Sequence, residues 1–257
     1  MEFFKVQGCG NHFILLENIK PNTINDLANY IKKLCNPNFG IGADGVIFLH
    51  QEQKKWRWEF YNDDGSIASI CGNAARAVMA FRHTIHKDLN FSWDSLVGKI
   101  TTKYLSKDIY SASWTNIPKF ISFKDDSVDE SLNDLKYKHK LTIGNNHLVL
   151  GVDDFPEQEK RLSVYQNLRN KSEFKNYNLS IYSPKTKKIT TFENGLDRES
   201  FACGSAAIAS FLATEKENNK NPGTLKFKFP GGELEVSKND DKIYLTGNAS
   251  IVFKGKI

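Results

Sequence analysis

One short sequence occurs twice in this chain, as Cys71-Gly72-Asn73-Ala74-Ala75-Arg76-Ala77 and as Cys203-Gly204-Ser205-Ala206-Ala207-Ile208-Ala209. Each copy runs into an Ala-rich apolar stretch, Val78-Met79-Ala80-Phe81 or Ser210-Phe211-Leu212-Ala213, of high helical propensity. The cysteine therefore stands where a helix begins, and Asn73 and Ser205 fall in its first turn, whose N–H groups lack helical partners. A thiol there feels the positive end of the helix dipole, which favours thiolate. The glycine beside it lets backbone N–H groups approach an anion. A fold that accommodates this chain must hold the arrangement twice.

The duplication reaches beyond the cysteines. Gly10-Asn11-His12-Phe13-Ile14 is answered by Gly144-Asn145-Asn146-His147-Leu148-Val149. Glu59-Phe60-Tyr61-Asn62-Asp63-Asp64-Gly65-Ser66 precedes the first cysteine, and Thr191-Phe192-Glu193-Asn194-Gly195-Leu196-Asp197 precedes the second. Each half thus reads as a Gly-Asn turn into an apolar strand, then an aromatic strand ending in an Asn/Asp/Gly turn, then the cysteine helix. At 257 residues, each half has an ordinary domain size. The first is expected to span residues 1–116, with residues from about 250 to 257 available to complete it, and the second 117–249.

The pattern is α+β, with strands in the majority. Helices are expected at Ile24–Leu34, Cys71–Lys87, around Gln158–Asn170 and at Cys203–Lys216. Strands are expected at Phe3–Val6, Phe13–Glu17, Gly45–Leu49, Trp56–Tyr61, Lys99–Tyr104, Ile109–Trp114, Leu141–Ile143, Leu148–Val152, Leu179–Tyr182, Lys188–Phe192, Leu225–Phe229, Leu234–Val236 and Ile243–Thr246. The polar stretch from Lys119 to Lys140 reads as the crossing between halves. Pro230-Gly231-Gly232 reads as a hairpin turn. Gly40-Ile41-Gly42-Ala43-Asp44-Gly45 is similar to a dinucleotide fingerprint, but no helix pattern follows it, so that assignment fails on context.

The net charge of +5 invites a nucleic-acid reading, yet the lysines are dispersed among acids and no nucleic-acid motif accompanies them. A solvated surface is expected instead, and no nucleic-acid partner. The apolar run Phe13-Ile14-Leu15-Leu16 stops at Glu17, too short for a signal or a membrane span, so a cytoplasmic protein without a membrane partner is expected. The four cysteines, Cys9, Cys35, Cys71 and Cys203, make no Cys-x-x-Cys pair and no tetrahedral ligand cluster, so no metal is expected. Cys9 and Cys35 read as buried small hydrophobes. Cys71 and Cys203 read as a pair of reactive thiols facing one substrate.

Gly10-Asn11-x-Phe13, Gly40-Ile41-Gly42-Ala43-Asp44-Gly45, Asn62-x-Asp64-Gly65-Ser66, Cys71-Gly72-Asn73-x-Ala75-Arg76, Gly144-Asn145-x-His147, Ala202-Cys203-Gly204-Ser205 and Pro230-Gly231-Gly232-x-Leu234 occur in this order. Together they resemble the diaminopimelate epimerase family. The resemblance implies two pseudo-symmetric domains, each a curved sheet or barrel wrapped round a central helix, with an active site in the cleft between them. It also implies a cofactor-independent amino-acid epimerase whose partner is a small amino-acid substrate; a homodimer is left open. Inverting a Cα needs a base on one face and an acid on the other, which a thiolate and a thiol can supply. Cys71 and Cys203 take those roles, and the N–H groups of Gly72, Asn73, Gly204 and Ser205 would hold the substrate α-carboxylate. His147 and Glu193 match positions that assist the thiols. Asn11, Asn62, Asn145 and Asn178 match positions that hold the distal end of the substrate.

Two positions depart from the family pattern. Glu193 is followed by Asn194 where the family usually carries an arginine for the distal carboxylate, and His12 replaces an acid. Arg198 or a nearby lysine is the candidate substitute. Three activities follow: diaminopimelate epimerase, which is favoured; a racemase of the same fold for another amino acid such as histidine; and a non-catalytic amino-acid-binding protein, against which the presence of both cysteines argues.

Overall fold

The computed structural model describes residues 1–68, 70–96, 98–114, 120–121, 135–196, 198–239 and 242–257. In chain order the first elements are β1 (Glu2–Gly8), β2 (Asn11–Glu17), α1 (Leu27–Cys35), β3 (Gly45–Glu52), β4 (Lys55–Asn62), β5 (Ile67–Ala68), α2 (Gly72–His86), β6 (Asn90–Ser95), β7 (Gly98–Ser106) and β8 (Ile109–Trp114). There follow β9 (Phe120–Ile121), β10 (Leu135–Ile143), β11 (Asn145–Val152), α3 (Gln158–Arg169), β12 (Tyr177–Tyr182) and β13 (Ile189–Phe192). The last are α4 (Gly204–Asn218), β14 (Thr224–Phe229), β15 (Gly232–Asn239) and β16 (Lys242–Lys256). The chain is α+β and divides into two units, Met1–Asn116 with Asp241–Ile257, and Ile117–Asp240. No described helix is long and apolar enough to cross a membrane.

The first unit is a closed barrel. Its strands run β1-β2-β3-β4-β6-β7-β8-β16, and β16 returns to pair with β1. Two neighbouring pairs are parallel, β2 with β3 and β4 with β6. A parallel pair needs a long crossover, and α1 and α2 provide them. α1 lies on one face of β2 and β3, where Ile31, Leu34 and Cys35 pack with Ile14, Leu16, Val46 and Phe48. The alternate residues Phe13, Leu15, Ile47 and Leu49 are equally buried, and this double cover explains why these strands read as unbroken apolar runs. α2 packs against β1, β2, β6, β7, β8 and β16. Every residue from Asn73 to Arg82 on it is buried, the mark of a helix enclosed on all sides.

The second unit repeats the plan. Its sheet runs β13-β12-β11-β10-β9, with β10 antiparallel to β11, β11 parallel to β12 across α3, and β12 antiparallel to β13. Leu148, Leu150, Leu179 and Ile181 meet Val164 and Leu168 of α3. On the other face α4 packs against β10, β11, β12 and β15. Hairpin, crossover helix, parallel pair, antiparallel pair and cysteine helix therefore occur in the same order in both units.

The cysteine helices begin one residue later than expected, each with its cysteine as N-cap. β14 and β15 join through Pro230-Gly231, with Phe229 opposite Gly232. Of the expected crossing, residues 119 and 122–134 lie outside the described ones, while β9 occupies Phe120–Ile121 and β10 runs from Leu135 rather than from Leu141. β6 has no counterpart among the expected strands, although Phe91 and Trp93 alternate into the core. β16 extends the expected Ile243–Thr246 to Lys256, because β8 pairs with its first half and β1 with its second. Residues 242–249, expected from the sequence in the second half, accordingly lie with the first unit. The glycines of Gly40–Gly45 have a structural task. The N–H groups of Gly40, Ile41, Gly42 and Ala43 donate to the last carbonyls around α1, those of Leu34, Cys35 and Asn36, groups that a helix end leaves unpaired.

Candidate active site

Register places one row of site residues at one rim of the barrel. Phe13 of β2 lies beside Gly45 of β3, which lies beside Asn62 of β4, so Asn11, Asp44 and Asn62 share that end. The first turn of α2 joins them. The Asn73 side chain donates to Asn11 Oδ1, and Asn11 Nδ2 donates to Asp44 Oδ2 at 3.2 Å. Asp44 Oδ2 also accepts from the His12 N–H at 2.9 Å. His12 thus takes part through its backbone, whatever its side chain. Asn62 Nδ2 donates to Ser66 Oγ at 3.0 Å, within a turn where Asp64 accepts from the Ser66 N–H and hydroxyl. Those two bonds hold the Asp64 carboxyl below its usual range.

Cys71 is half-buried at the N-cap of α2, in extended backbone conformation, and its Sγ accepts the Ala74 N–H at 3.4 Å. Asn73 is only 2% exposed and its Oδ1 accepts from Arg76 Nη2 at 2.7 Å. Arg76 also donates to the Gly72 carbonyl at 3.1 Å and to Cys9 Sγ at 3.6 Å. Cys9, expected to be a passive core thiol, is buried but stands in a left-handed turn at φ 50° against this guanidinium. β1 approaches the helix closely here, since a Cβ on Gly8 would lie 2.6 Å from the Asn73 carbonyl oxygen.

The second unit builds a matching rim. His147 and Asn178 are neighbours in the parallel register of β11 and β12. Alternation puts both on the face opposite α3, which is the face α4 packs against. Neither ring nitrogen of His147 has a hydrogen-bond partner among the described residues, and neither has Asn178 Nδ2. Burial alone pulls the His147 pKa down to about 4, so the ring is neutral. Asn178 Oδ1 accepts the Asn194 N–H at 2.8 Å. Cys203 is buried at the N-cap of α4, with its Sγ 3.4 Å from Ser205 Oγ. Glu193 is half-buried at the end of β13, its carbonyl accepting the Leu196 N–H, and Asn145 is exposed at the hairpin start of β11.

Asn194 is exposed, and its side-chain oxygen accepts from Arg169 Nη1 at 3.4 Å. Arg169, at the end of α3, escaped the sequence reading because nothing links it to the Glu193-Asn194 turn before the chain folds. Arg198, the candidate substitute, instead lies over the exposed Phe201 ring at 5.5 Å. Arg76 was legible as the lone charge in an Ala-rich apolar run, but not as a member of the site. Among the described residues no group of three or more His, Cys, Asp or Glu side chains converges as metal ligands.

Known proteins resemble this chain in sequence and in fold. Residues 3–110 match the family model described as diaminopimelate epimerase. A diaminopimelate epimerase of Flavobacterium psychrophilum is 30% identical, covering 100% of both chains. One of Carboxydothermus hydrogenoformans is 31% identical, covering 100% of this chain and 99% of its own. Among solved structures, a phenazine biosynthesis protein of the PhzF family from Enterococcus faecalis superposes with a TM-score of 0.71 at 14% identity, covering 100% of this chain and 98% of that one. A hydroxyproline epimerase of Agrobacterium vitis, solved with trans-4-hydroxy-L-proline, does so with a TM-score of 0.66 at 11% identity, covering 99% and 91%. These two likenesses concern the fold.

Proposed function

This chain belongs to the diaminopimelate epimerase family and is an isomerase, and on that premise we propose that it interconverts LL- and meso-diaminopimelate by two-base proton transfer between Cys71 and Cys203. The observation that carries the reading is the equivalence of the two cysteines. Each is the N-cap of a buried helix, at the same place in a repeated plan. A thiolate on one face of Cα removes its proton while a thiol on the other face delivers one, and the roles exchange with direction. The first-turn N–H groups of Gly72, Asn73, Gly204 and Ser205 would hold the α-carboxylate and stabilise the carbanionic charge that builds in the transition state. No cofactor is needed for these steps, and the expected setting is cytoplasmic lysine and cell-wall synthesis.

His147 and Glu193 are assigned to the surroundings of the thiols. The unpartnered polar atoms of His147 and Asn178 support a polar ligand group on that face. Asn11, Asn62, Asn145, Asn178 and Asn194 are assigned to the distal end of the substrate. The missing arginine favours the second reading, a racemase acting on an amino acid without a second carboxylate, such as histidine. Against it stands Arg169, whose guanidinium meets the Asn194 side chain and keeps a positive charge beside that turn.

Incubation with LL-diaminopimelate in heavy water tests the proposal. Deuterium is expected at Cα of the epimerised product, and Cys71→Ala or Cys203→Ala should abolish epimerisation. Exchange into histidine but not diaminopimelate would establish the second reading. No exchange into any amino acid of a broad panel would leave only a binding protein.

A further inference from the structure

The two cysteine frames differ in charge at one position. Five residues after Cys71 stands Arg76, and five after Cys203 stands Ile208, both wholly buried. Arg82, further along α2, shows how the same helix treats a cation that is paired, since Glu17 and Asp88 both bind it. Arg76 has no carboxylate partner among the described residues. Its bonds go to the Gly72 carbonyl, the Asn73 amide oxygen and Cys9 Sγ, and its Nε has no partner. A guanidinium does not lose its proton in a protein, and burying one without an anion is costly. The positive end of α2 adds to the same field rather than opposing it. The first turn of α2 therefore gathers positive charge that no carboxylate among the described residues balances.

The ionisable groups that push back against this burial are the thiols of Cys9 and Cys71. Their geometry tells them apart. Cys9 lies in the turn between β1 and β2 rather than on the helix, and its Sγ accepts from Arg76 Nη2 at 3.6 Å while donating to the Asn248 carbonyl at 3.7 Å. Cys71 Sγ accepts the Ala74 N–H, which suits a thiolate. Other charges packed round α2 are engaged elsewhere. Lys5 donates to the Gly42 carbonyl, Asp44 reaches the network only through Asn11, His86 and Arg82 share Glu17, and Asp88 lies at the far end.

We propose that Arg76 is a positioning residue that sets the resting protonation of the pair, with Cys71 as the thiolate and Cys203 as the thiol. The assignment of roles rests on the two-thiol reading above. In the resting form Cys71 takes the Cα proton and Cys203 gives its own to the opposite face. Product then leaves an enzyme with Cys71 protonated and Cys203 as thiolate, and solvent returns it to the resting form with no net change in protons.

The test needs no substrate. The purified protein is alkylated with iodoacetamide from about pH 5 to about pH 9, and the modification of each cysteine is followed by peptide mass spectrometry. Midpoints rather than rates are compared, so the different exposure of the two thiols does not enter. Cys71 is expected to titrate at least about one unit below Cys203; coincident midpoints or the reverse order would overturn the proposal. In Arg76→Met the Cys71 midpoint should rise, slowing its alkylation near pH 7 about tenfold, while that of Cys203 stays. Arg76→Lys should restore most of the difference. A folded Arg76→Met protein with the wild-type Cys71 midpoint, or with both midpoints moved alike, would also overturn it. Should Arg76→Met fail to fold, the wild-type order alone decides. Failure here leaves the epimerase reading standing, whereas a silent substrate panel would remove the roles of base and acid while the order of the two midpoints would still report on Arg76.

Discussion

His147 shows at the scale of one residue how a site imposes a pH limit on its own protein. Its pKa is near 4 in the folded protein, through burial, against 6.5 ordinarily. As pH falls the unfolded chain takes the proton first, so stability is lost from about pH 6.5 down to about pH 4 and then levels off. The linkage amounts to about 2 kcal/mol by pH 5. Urea unfolding at pH 7 and pH 5 should show that loss in the wild type and a smaller one in His147→Leu; equal losses would mean that the ring charges freely. The N-cap cysteines separate stability from activity in a different way. Serine is among the preferred N-caps, so Cys71→Ser should melt within a few degrees of the wild type. Turnover should nonetheless fall by more than about a hundredfold, because an alcohol is a poor acid for this exchange. A Cys71→Ser protein with near-normal turnover would remove Cys71 from the chemistry.

Among the elements, the two cysteine helices were the most legible, since an Ala-rich apolar run with a polar first turn has few alternatives. Both were read to within a residue at their starts. The paired Gly-Asn turns pointed to β2 and β11, although these strands were expected from Phe13 and Leu148 and begin already at Asn11 and Asn145. β6 was not legible, because its alternation is carried only by Phe91 and Trp93 and follows closely on α2. The isolation of Arg76 and the contact of Arg169 with Asn194 were hidden for another reason. A sequence displays charges, but pairing depends on which carboxylates the fold brings near, and here Glu17 and Asp88 go to Arg82. The close approach of β1 to α2 was equally invisible, although Gly8 marks it. A Cβ there would press on the Asn73 carbonyl, backbone that cannot swing aside. Gly8→Ala should therefore cost about 1–3 kcal/mol and displace the turn that carries Cys71 and the Asn11–Asn73 bond. Urea unfolding together with kcat/KM should show both losses, and a variant that loses stability but keeps kcat/KM would detach this contact from the site.

On the scale of the whole molecule, duplication does not produce two equal units, because the last strand returns to the first. β16 pairs through Ile243–Asn248 with β8 and through Ala249–Lys256 with β1, and it packs against α2. Only with it does the barrel have no edge. A chain ending at Asn239 would keep both cysteines and every other strand. It would nonetheless open the barrel between β8 and β1, expose the ladder groups of both strands, and uncover a helix that is buried on all sides. Since a domain is stable by only about 5–15 kcal/mol, the loss of a central strand should exceed what the unit can tolerate. The shortened protein is expected to be insoluble or aggregated on size exclusion, without a cooperative melt. The second unit draws its five-stranded sheet and α3 from residues before Asp240, so limited proteolysis of any soluble fraction should protect fragments from that unit rather than from the barrel. A shortened chain that runs as a monomer, melts cooperatively and protects α2 would show that the barrel closes without its last strand.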